Sequence, residues 1–156
     1  MRQRKTKTGL RREDGAAAVE FALIVGLLAM LIFGMMEYGL AFWQLQNLRA
    51  ASREGARVAA IGGTGSQVLN SVNQEGNVTL TSSSVQVCLP PSACQNVSSA
   101  QKYCGLSGQP IDQSVVVKLT NLPASLQSIF TISIPLLPTI TLNPDLSGTF
   151  RCEGTG

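Results

Sequence analysis

The sequence predicts an α+β protein, in which a long N-terminal transmembrane α-helix is followed by a small antiparallel β-sheet domain with disulfides. Three observations support this prediction. Residues 16–36 form an apolar run with a single charged side chain, Glu20. The helical pattern then continues without proline to Ile61 and stops at Gly62-Gly63. The remaining chain is rich in Ser and Thr, alternates polar and apolar residues in short stretches, and holds all four cysteines.

Residues 1–15 are a basic leader, with six Arg or Lys side chains against Glu13 and Asp14. Basic residues beside a membrane segment tend to stay in the cytoplasm, so the leader predicts a cytoplasmic N-terminus and an extracytoplasmic C-terminal domain. Basic clusters also bind nucleic acid, but this one abuts the apolar run and has no interleaved aromatic residues. Residues 16–156 are near neutral, with six basic and seven acidic side chains. We therefore expect no nucleic-acid partner.

The apolar run is long enough to cross a bilayer, because about 20 apolar residues span its hydrocarbon core. Glu20 is the exception, since a carboxylate costs about 2.5–3.5 kcal/mol near the bilayer centre and less towards its ends. Because this charge is costly to keep in the apolar run, we expect Glu20 to have a function. An ordinary secretory signal is the alternative, with Gly39-Leu-Ala41 as a small-x-small cleavage site, but its apolar core is normally about 7–15 residues long.

The predicted helix covers residues 16–62 and spans the membrane to about 36–42, near the interfacial aromatic residues Tyr38 and Trp43. Beyond the membrane, three Arg residues recur at every fourth position and favour a solvated basic stripe over a binding surface. They are Arg49, Arg53 and Arg57. Two ladders of small residues have the same spacing and would let helices approach closely. They are Ala18, Ala22 and Gly26 in the apolar run, and Ala51, Gly55 and Ala59 beyond it.

Residues 63–156 are predicted to form an extracytoplasmic, Ser/Thr-rich β domain. Residues 63–150 contain 22 Ser or Thr but only five charged side chains. Alternation predicts strands at 84–88 and 113–120, with further candidates at 139–143 and 148–152. One short helix is predicted from Gln67 to Gln74. We expect three or four antiparallel strands packed on the outer part of the long helix.

Four cysteines on the predicted outer side indicate two disulfides, which often stabilise domains of this modest size. They are Cys88, Cys94, Cys104 and Cys152. A zinc site is the alternative, but the chain has no CxxC pair and no His. We favour Cys88–Cys94 with Cys104–Cys152, because Pro90-Pro91 would turn the short loop back. The nested pairing, Cys88–Cys152 with Cys94–Cys104, stays open.

The sequence offers little for catalysis. Without His there is no Ser-His or Cys-His nucleophile pair. Asp112 and Asp145 are lone acids in turn-like settings. Gly62-Gly-Thr-Gly65 follows a helix rather than a strand, unlike a phosphate-binding loop. We therefore expect no enzymatic activity, no metal site and no cofactor.

The junction between leader and helix resembles the processing site of type IV pilin-like proteins. It has a glycine, four small or apolar residues, a glutamate, an aromatic residue and then a long apolar helix, which predicts a pilin-like helix. Here these are Gly15, Ala16, Glu20 and Phe21. In that resemblance the chain is cut after Gly15, and Glu20 becomes the fifth mature residue.

A closer resemblance is to the TadE-like proteins of tight-adherence (Tad) pilus systems. It rests on RREDGAAAVEFALIVGLLAMLIFGMMEYGLAF followed by AASREGARVAA. The shared pattern is Gly-x-x-x-x-Glu-Phe, an apolar helix with a late Glu-x-Gly at Glu37 and Gly39, and an Ala/Arg segment ending in Ala59-Ala60. The ending Thr149-Phe-Arg-Cys-Glu153 is similar to the C-terminal signature of that family.

The resemblance implies a minor pilin or pseudopilin of a Tad (Flp) type IV pilus. Such a protein is a single-pass protein of the bacterial inner membrane, processed by a prepilin peptidase between Gly15 and Ala16 and assembled through Glu20 and Phe21. Its expected partners are other pilins, pilus-assembly membrane proteins, the peptidase and membrane lipid, with an extracellular pilus, adhesion or secretion as the outcome. Two alternatives stay open: a signal-anchored binding domain that does not polymerise, and an assembly factor that remains in the membrane.

Overall fold

A computed structural model describes residues 10–105, 112–132, 138–142 and 144–153. Two parts of the predicted elements, residues 1–9 of the leader and Asn143 of the third candidate strand, lie outside the described residues. The chain divides into two compact units, Met1–Gly39 and Leu40–Gly156. The first unit is helical in its described part, and the second holds the sheet, which confirms the predicted fold class.

Helix α1 spans Leu10–Ala60. It begins six residues before the predicted start, because residues 10–14 include the good helix formers Leu, Arg and Glu and contain neither Gly nor Pro. Its C-terminus is a Schellman turn. Gly62 takes a φ of 80° and donates its N–H to the Ala59 carbonyl, while the Gly63 N–H reaches the Val58 carbonyl at 3.0 Å. The Gly-Gly pair therefore stops the helix, as predicted.

Helix α2, Gly65–Gly76, contains the predicted short helix and extends it at both ends. At its start the Thr64 N–H donates to Gln67 Oε1 at 2.9 Å, which satisfies a donor that the helix leaves free. At its end Asn77 adopts the left-handed conformation, with a φ of 48°. The buried face of α2 carries Val68 and Val72.

The main sheet has four antiparallel strands in the order β2-β1-β3-β6. Their bounds are Val85–Cys88 for β1, Gln95–Asn96 for β2, Ser114–Leu119 for β3 and Ser147–Arg151 for β6. The strands predicted at 84–88, 113–120 and 148–152 are therefore confirmed. The edge strand β2 was not predicted, because two residues cannot show an alternating pattern.

A second, two-stranded sheet pairs β4, Thr131–Ile132, with β5, Ile140–Thr141. Helix α3, Ala124–Gln127, and a 3₁₀ turn, Ser128–Phe130, precede it. The candidate strand at 139–143 thus forms part of a separate hairpin, and its expected place in the main sheet is wrong. Its Thr-Ile-Thr-Leu alternation predicted a strand but contained nothing that specified the partner.

The core of the second unit lies between the outer part of α1, the inner face of the main sheet and α2. Small side chains on α1 face β-branched side chains on the other two elements, so the helix approaches both closely. The fully buried members include Leu48, Ala51, Ala56, Ala59, Val68, Val72, Val85, Val115 and Val117. This arrangement confirms that the sheet packs on the outer part of the long helix.

The cysteines form the pairing that the sequence favoured, Cys88–Cys94 and Cys104–Cys152. The nested alternative is therefore wrong. Cys88–Cys94 closes the short connection between β1 and β2, with a sequence separation of 6. Cys104–Cys152 ties the segment after β2 to the end of β6 across a separation of 48. Next to this second disulfide, the Glu153 N–H donates to the Ala60 carbonyl of α1 at 3.0 Å.

Strand β6 meets α1 backbone to backbone. A Cβ atom on Gly148 would lie 2.6 Å from Cα of Arg53 and 2.5 Å from the carbonyl carbon of Ser52. Neither backbone atom can rotate away, so only glycine fits this position.

Replacing Gly148 by alanine should destabilise the outer domain by about 1–3 kcal/mol, because overpacking forces the strand away from the helix. Urea unfolding of the detergent-solubilised protein, followed by circular dichroism, measures the change. Ser147→Ala is the matched control, since Ser147 is the exposed neighbour in the same strand. Equal stability of the two variants would contradict the close approach.

Removing Cys104–Cys152 by a double Cys→Ala change should destabilise the domain more than removing Cys88–Cys94. In the chain-entropy model, stabilisation grows with the logarithm of loop length, so separations of 48 and 6 differ by about 2 kcal/mol. The same unfolding assay compares the two double variants. Thiol labelling of the native wild type should detect no free cysteine, and labelling at any two of the four positions would contradict the expectation that all four are oxidised.

Candidate assembly helix

The apolar part of α1 presents hydrophobic side chains in every direction. From Gly15 to Leu40 the described side chains are exposed, apart from the half-exposed Ala29, Met30 and Gly34. Phe21 is 68% exposed. A helix that is apolar all round needs an apolar environment, either a protein core or a membrane. This helix is long and apolar enough to cross a membrane, and the protein buries none of its most apolar stretch. These features indicate a membrane anchor.

The predicted assembly residues Glu20 and Phe21 lie on this exposed surface. Within the described part of the chain, the Glu20 carboxylate makes no hydrogen bond or ion pair. The predicted processing residues Gly15 and Ala16 lie one turn earlier, inside the helix and also exposed. The four residues therefore share the first two turns of the apolar segment.

The first small-residue ladder, Ala18, Ala22 and Gly26, is uncovered. A Cβ atom added to Gly26 would have nothing within 4 Å, which leaves room for close approach by another helix. Tyr38 and Trp43 lie after the apolar run, and both are more than half exposed. Amphipathic rings of this kind concentrate at membrane–water interfaces.

The second ladder, Ala51, Gly55 and Ala59, is buried inside the outer domain. A Cβ atom on Gly55 would lie 2.5 Å from Cγ2 of Val72 on α2 and 3.5 Å from Cγ1 of Val117 on β3. The structure thus gives the two ladders different surroundings. The second packs against its own domain, and only the first is open to another chain.

The three Arg residues of the basic stripe differ in their surroundings. Arg53 and Arg57 are exposed and Arg49 is half-buried. Arg57 binds Glu54 through two hydrogen bonds, at 2.8 and 2.6 Å. These bonds hold the pKa of the Glu54 carboxyl below its usual value and raise the pKa of Arg57. Because the pair is exposed, it contributes little to stability.

A comparison with protein-family models finds a match to part of helix α1. Residues 15–57 match the family model described as TadE-like protein. This segment is similar to TadE-like proteins. The comparisons with curated proteins and with solved structures found no match. The TadE-like segment begins at Gly15, covers the whole apolar run and ends three residues before α1 does. It indicates a protein associated with Tad pili.

Outside the TadE-like segment, the described residues form a pocket of about 350 Å³ between the end of β3 and the β4–β5 hairpin. The Thr120 hydroxyl on its wall is buried and has no hydrogen-bond partner among the described residues. The other lining residues include Leu119, Leu122, Phe130, Thr131, Thr141, Leu142 and Leu146. Sequence reasoning missed this pocket, because its residues come from five separate elements and the segments between them, with no shared motif.

Of the two acidic residues that the sequence identified as lone acids, the structure pairs one. Asp112, expected to be a lone acid, pairs with Arg151 across the β3–β6 end of the sheet. Among the residues that the structure describes, no group of three or more His, Cys, Asp or Glu is placed to hold a metal ion. The absence of enzymatic activity stays a prediction.

Proposed function

We propose that the protein is a minor pilin or pseudopilin of a Tad type IV pilus. The observation that carries this proposal is the TadE-like match, which starts at the predicted cleavage residue Gly15 and covers an apolar helix with an uncovered surface. In this proposal the N-terminus is cytoplasmic, the outer domain is extracytoplasmic, and a prepilin peptidase cuts after Gly15.

An uncovered apolar helix can move from one apolar environment to another, as this proposal requires. Before assembly, lipid chains surround residues 16–36; after assembly, neighbouring helices replace them. Lipid and leucine are equally apolar, so burial alone does not drive this exchange. The preference for neighbouring helices over lipid must come from two other sources. These are close packing along the ladder of Ala18, Ala22 and Gly26, and the pairing of polar groups.

Glu20 provides such a polar group. Cleavage after Gly15 creates a positively charged α-amino group on Ala16, near the edge of the apolar segment. In a helix bundle, an unpaired ammonium and an unpaired carboxylate are each costly to bury, whereas a pair formed between neighbouring subunits is neutral overall. The pair also fixes the axial register, because sliding one helix along another separates the charges.

The alternative is an anchored binding domain that never polymerises, and the 350 Å³ pocket favours it. Such a protein needs its helix only as an anchor and has no reason to lose its leader. Processing at Gly15 therefore separates the two functions.

The mature chain should begin at Ala16. Intact mass and N-terminal sequencing of the membrane-extracted protein measure this directly. Gly15→Leu, which places a bulky side chain at the junction, should leave the leader attached, whereas Gly26→Leu on the same helix should not affect cleavage. An N-terminus at Met1 or after Ala41 in the wild type would rule out processing at Gly15.

Glu20→Gln should be processed, inserted and disulfide-bonded, yet poorly recruited by the other pilins. The change keeps size and polarity but leaves the new ammonium unpaired, at a cost of several kcal/mol in a desolvated site. Co-purification with the other pilins, at matched protein levels, measures recruitment. Glu75→Gln, on α2 in the outer domain, is the control. Equal recovery of wild type and Glu20→Gln would leave Glu20 with peptidase recognition as its remaining role.

A further inference from the structure

The bond between Gly15 and Ala16, which the peptidase of the proposed function cuts, lies inside helix α1. The helix begins at Leu10 and continues to Ala60, so residues 10–15 are helical on the leader side of this bond. In α-helical geometry the Val19 N–H donates to the Gly15 carbonyl. The carbonyl group at the cleavage position is therefore held by the helix itself.

A peptide bond held in an α-helix is a poor substrate for hydrolysis. The attacking water must reach the carbonyl carbon, and the carbonyl oxygen must accept hydrogen bonds from the enzyme, but the helix already occupies that oxygen. Proteins that bind a peptide chain through its backbone commonly take it in an extended form, which offers the N–H and C=O groups to the partner. Hydrolysis after Gly15 therefore requires the first turns of α1 to open.

Opening is easiest at this end of the helix. The termini of a helix fray at low cost, whereas segments in its interior open far less often. The side chains of Gly15, Ala16 and Ala17 are exposed, so opening at these three residues removes helical hydrogen bonds but no buried packing. The bonds after Gly26 and Gly34 lie inside the same helix, and opening there would need turns to break on both sides. Position along α1 thus distinguishes Gly15 from these later glycines.

Gly15 is a weak point of the segment. After proline, glycine is the least favourable residue in a helix interior. A Cβ atom added to Gly15 would have nothing within 4 Å, so no contact within the described residues requires glycine there. Gly148 is the contrasting case, because a Cβ atom at that position would collide with the backbone of α1. Glycine at position 15 therefore lowers the stability of the helix beside the cleavage bond without a packing reason.

We propose that the first turns of α1, from Leu10 to about Ala17, unwind before cleavage, and that the helix propensity of this segment sets the cleavage rate. This inference rests on the proposed function, in which a prepilin peptidase acts after Gly15. The unwound form is the substrate. Water is added across the Gly15–Ala16 bond, which leaves a carboxylate on Gly15 and an α-ammonium group on Ala16. When opening and closing are fast relative to cleavage, the rate follows the equilibrium population of the open form.

Paired alanine and glycine substitutions test the unwinding. At Glu13 and at Asp14, both variants lose the same acidic side chain, so the two members of a pair differ by one methyl group. Ala17→Gly makes the same change on the other side of the bond. Ala29→Gly is the matched control, because Ala29 lies in the same helix but in the middle of the apolar run. The full-length proteins in detergent are treated with the prepilin peptidase of the same cell, below substrate saturation, and mass spectrometry follows the release of the leader.

Glu13→Gly should be cut about four- to fivefold faster than Glu13→Ala, which corresponds to the difference of about 0.8–1.0 kcal/mol in helix propensity. The Asp14 pair should differ by the same factor. Ala17→Gly should exceed the wild-type rate by that factor, whereas Ala29→Gly should equal it.

Equal rates for alanine and glycine at both positions would overturn the unwinding. A difference confined to position 14 would also overturn it, because it would indicate direct contact with the peptidase beside the cut. Slower cleavage of the glycine variants would show that the peptidase recognises a helical leader, again against the proposal. Amide hydrogen exchange of the unprocessed proteins should be faster over residues 10–17 in each glycine variant than in its alanine partner. Equal exchange would mean that no helix closes over the bond, which refutes the unwinding as well.

The wild-type protein separates this proposal from the function on which it rests. If the wild type keeps its leader in the presence of the peptidase, processing at Gly15 fails. If the wild type is cut after Gly15 but the rates of the variants do not follow helix propensity, processing stands and the unwinding alone is refuted.

Discussion

The backbone contact between β6 and α1 at Gly148 is the constraint on which the outer domain depends. It brings the last strand of the main sheet against Ser52 and Arg53, and the Glu153–Ala60 hydrogen bond and the Cys104–Cys152 disulfide secure the same strand at its other end. The close contact depends on glycine at position 148, because a Cβ atom there would collide with the backbone of α1. Residues 40–60 are thereby committed to their own domain, so the apolar residues before them are the part of α1 that remains available to other chains.

The division of α1 into an uncovered and a buried part explains why small residues recur along the TadE-like segment. The matched residues include both the uncovered apolar run and part of the buried ladder. Glycine and alanine occur in both, for different reasons. In the apolar run they leave an open face for a neighbouring helix, whereas a side chain on Gly55 would collide with Val72 on α2. One helix therefore satisfies two separate packing requirements in succession.

Sequence reasoning predicted the elements whose patterns are local. The length and composition of α1, the Gly-Gly stop, α2 and the alternating strands β1, β3 and β6 are of this kind, and the proline pair favoured the correct cysteine pairing. It missed β2, α3 and the separation of the β4–β5 hairpin, because short elements and strand partners depend on tertiary contacts. For the site, it selected Gly15 and Glu20, and both lie on the uncovered surface. It could not distinguish the two small-residue ladders, since spacing indicates close approach but not the surface approached.

The contact at Gly148 also affects the timing of folding. Nearly the whole outer domain separates Ser52 from Gly148 along the chain, so this contact is strongly non-local, and such contacts form late. The backbone of α1 at Ser52 and Arg53 therefore stays uncovered until β6 is made, whereas α2 and β3, which cover Gly55, come earlier in the chain. During that interval the chain exposes Ser52, which is fully buried in the folded domain.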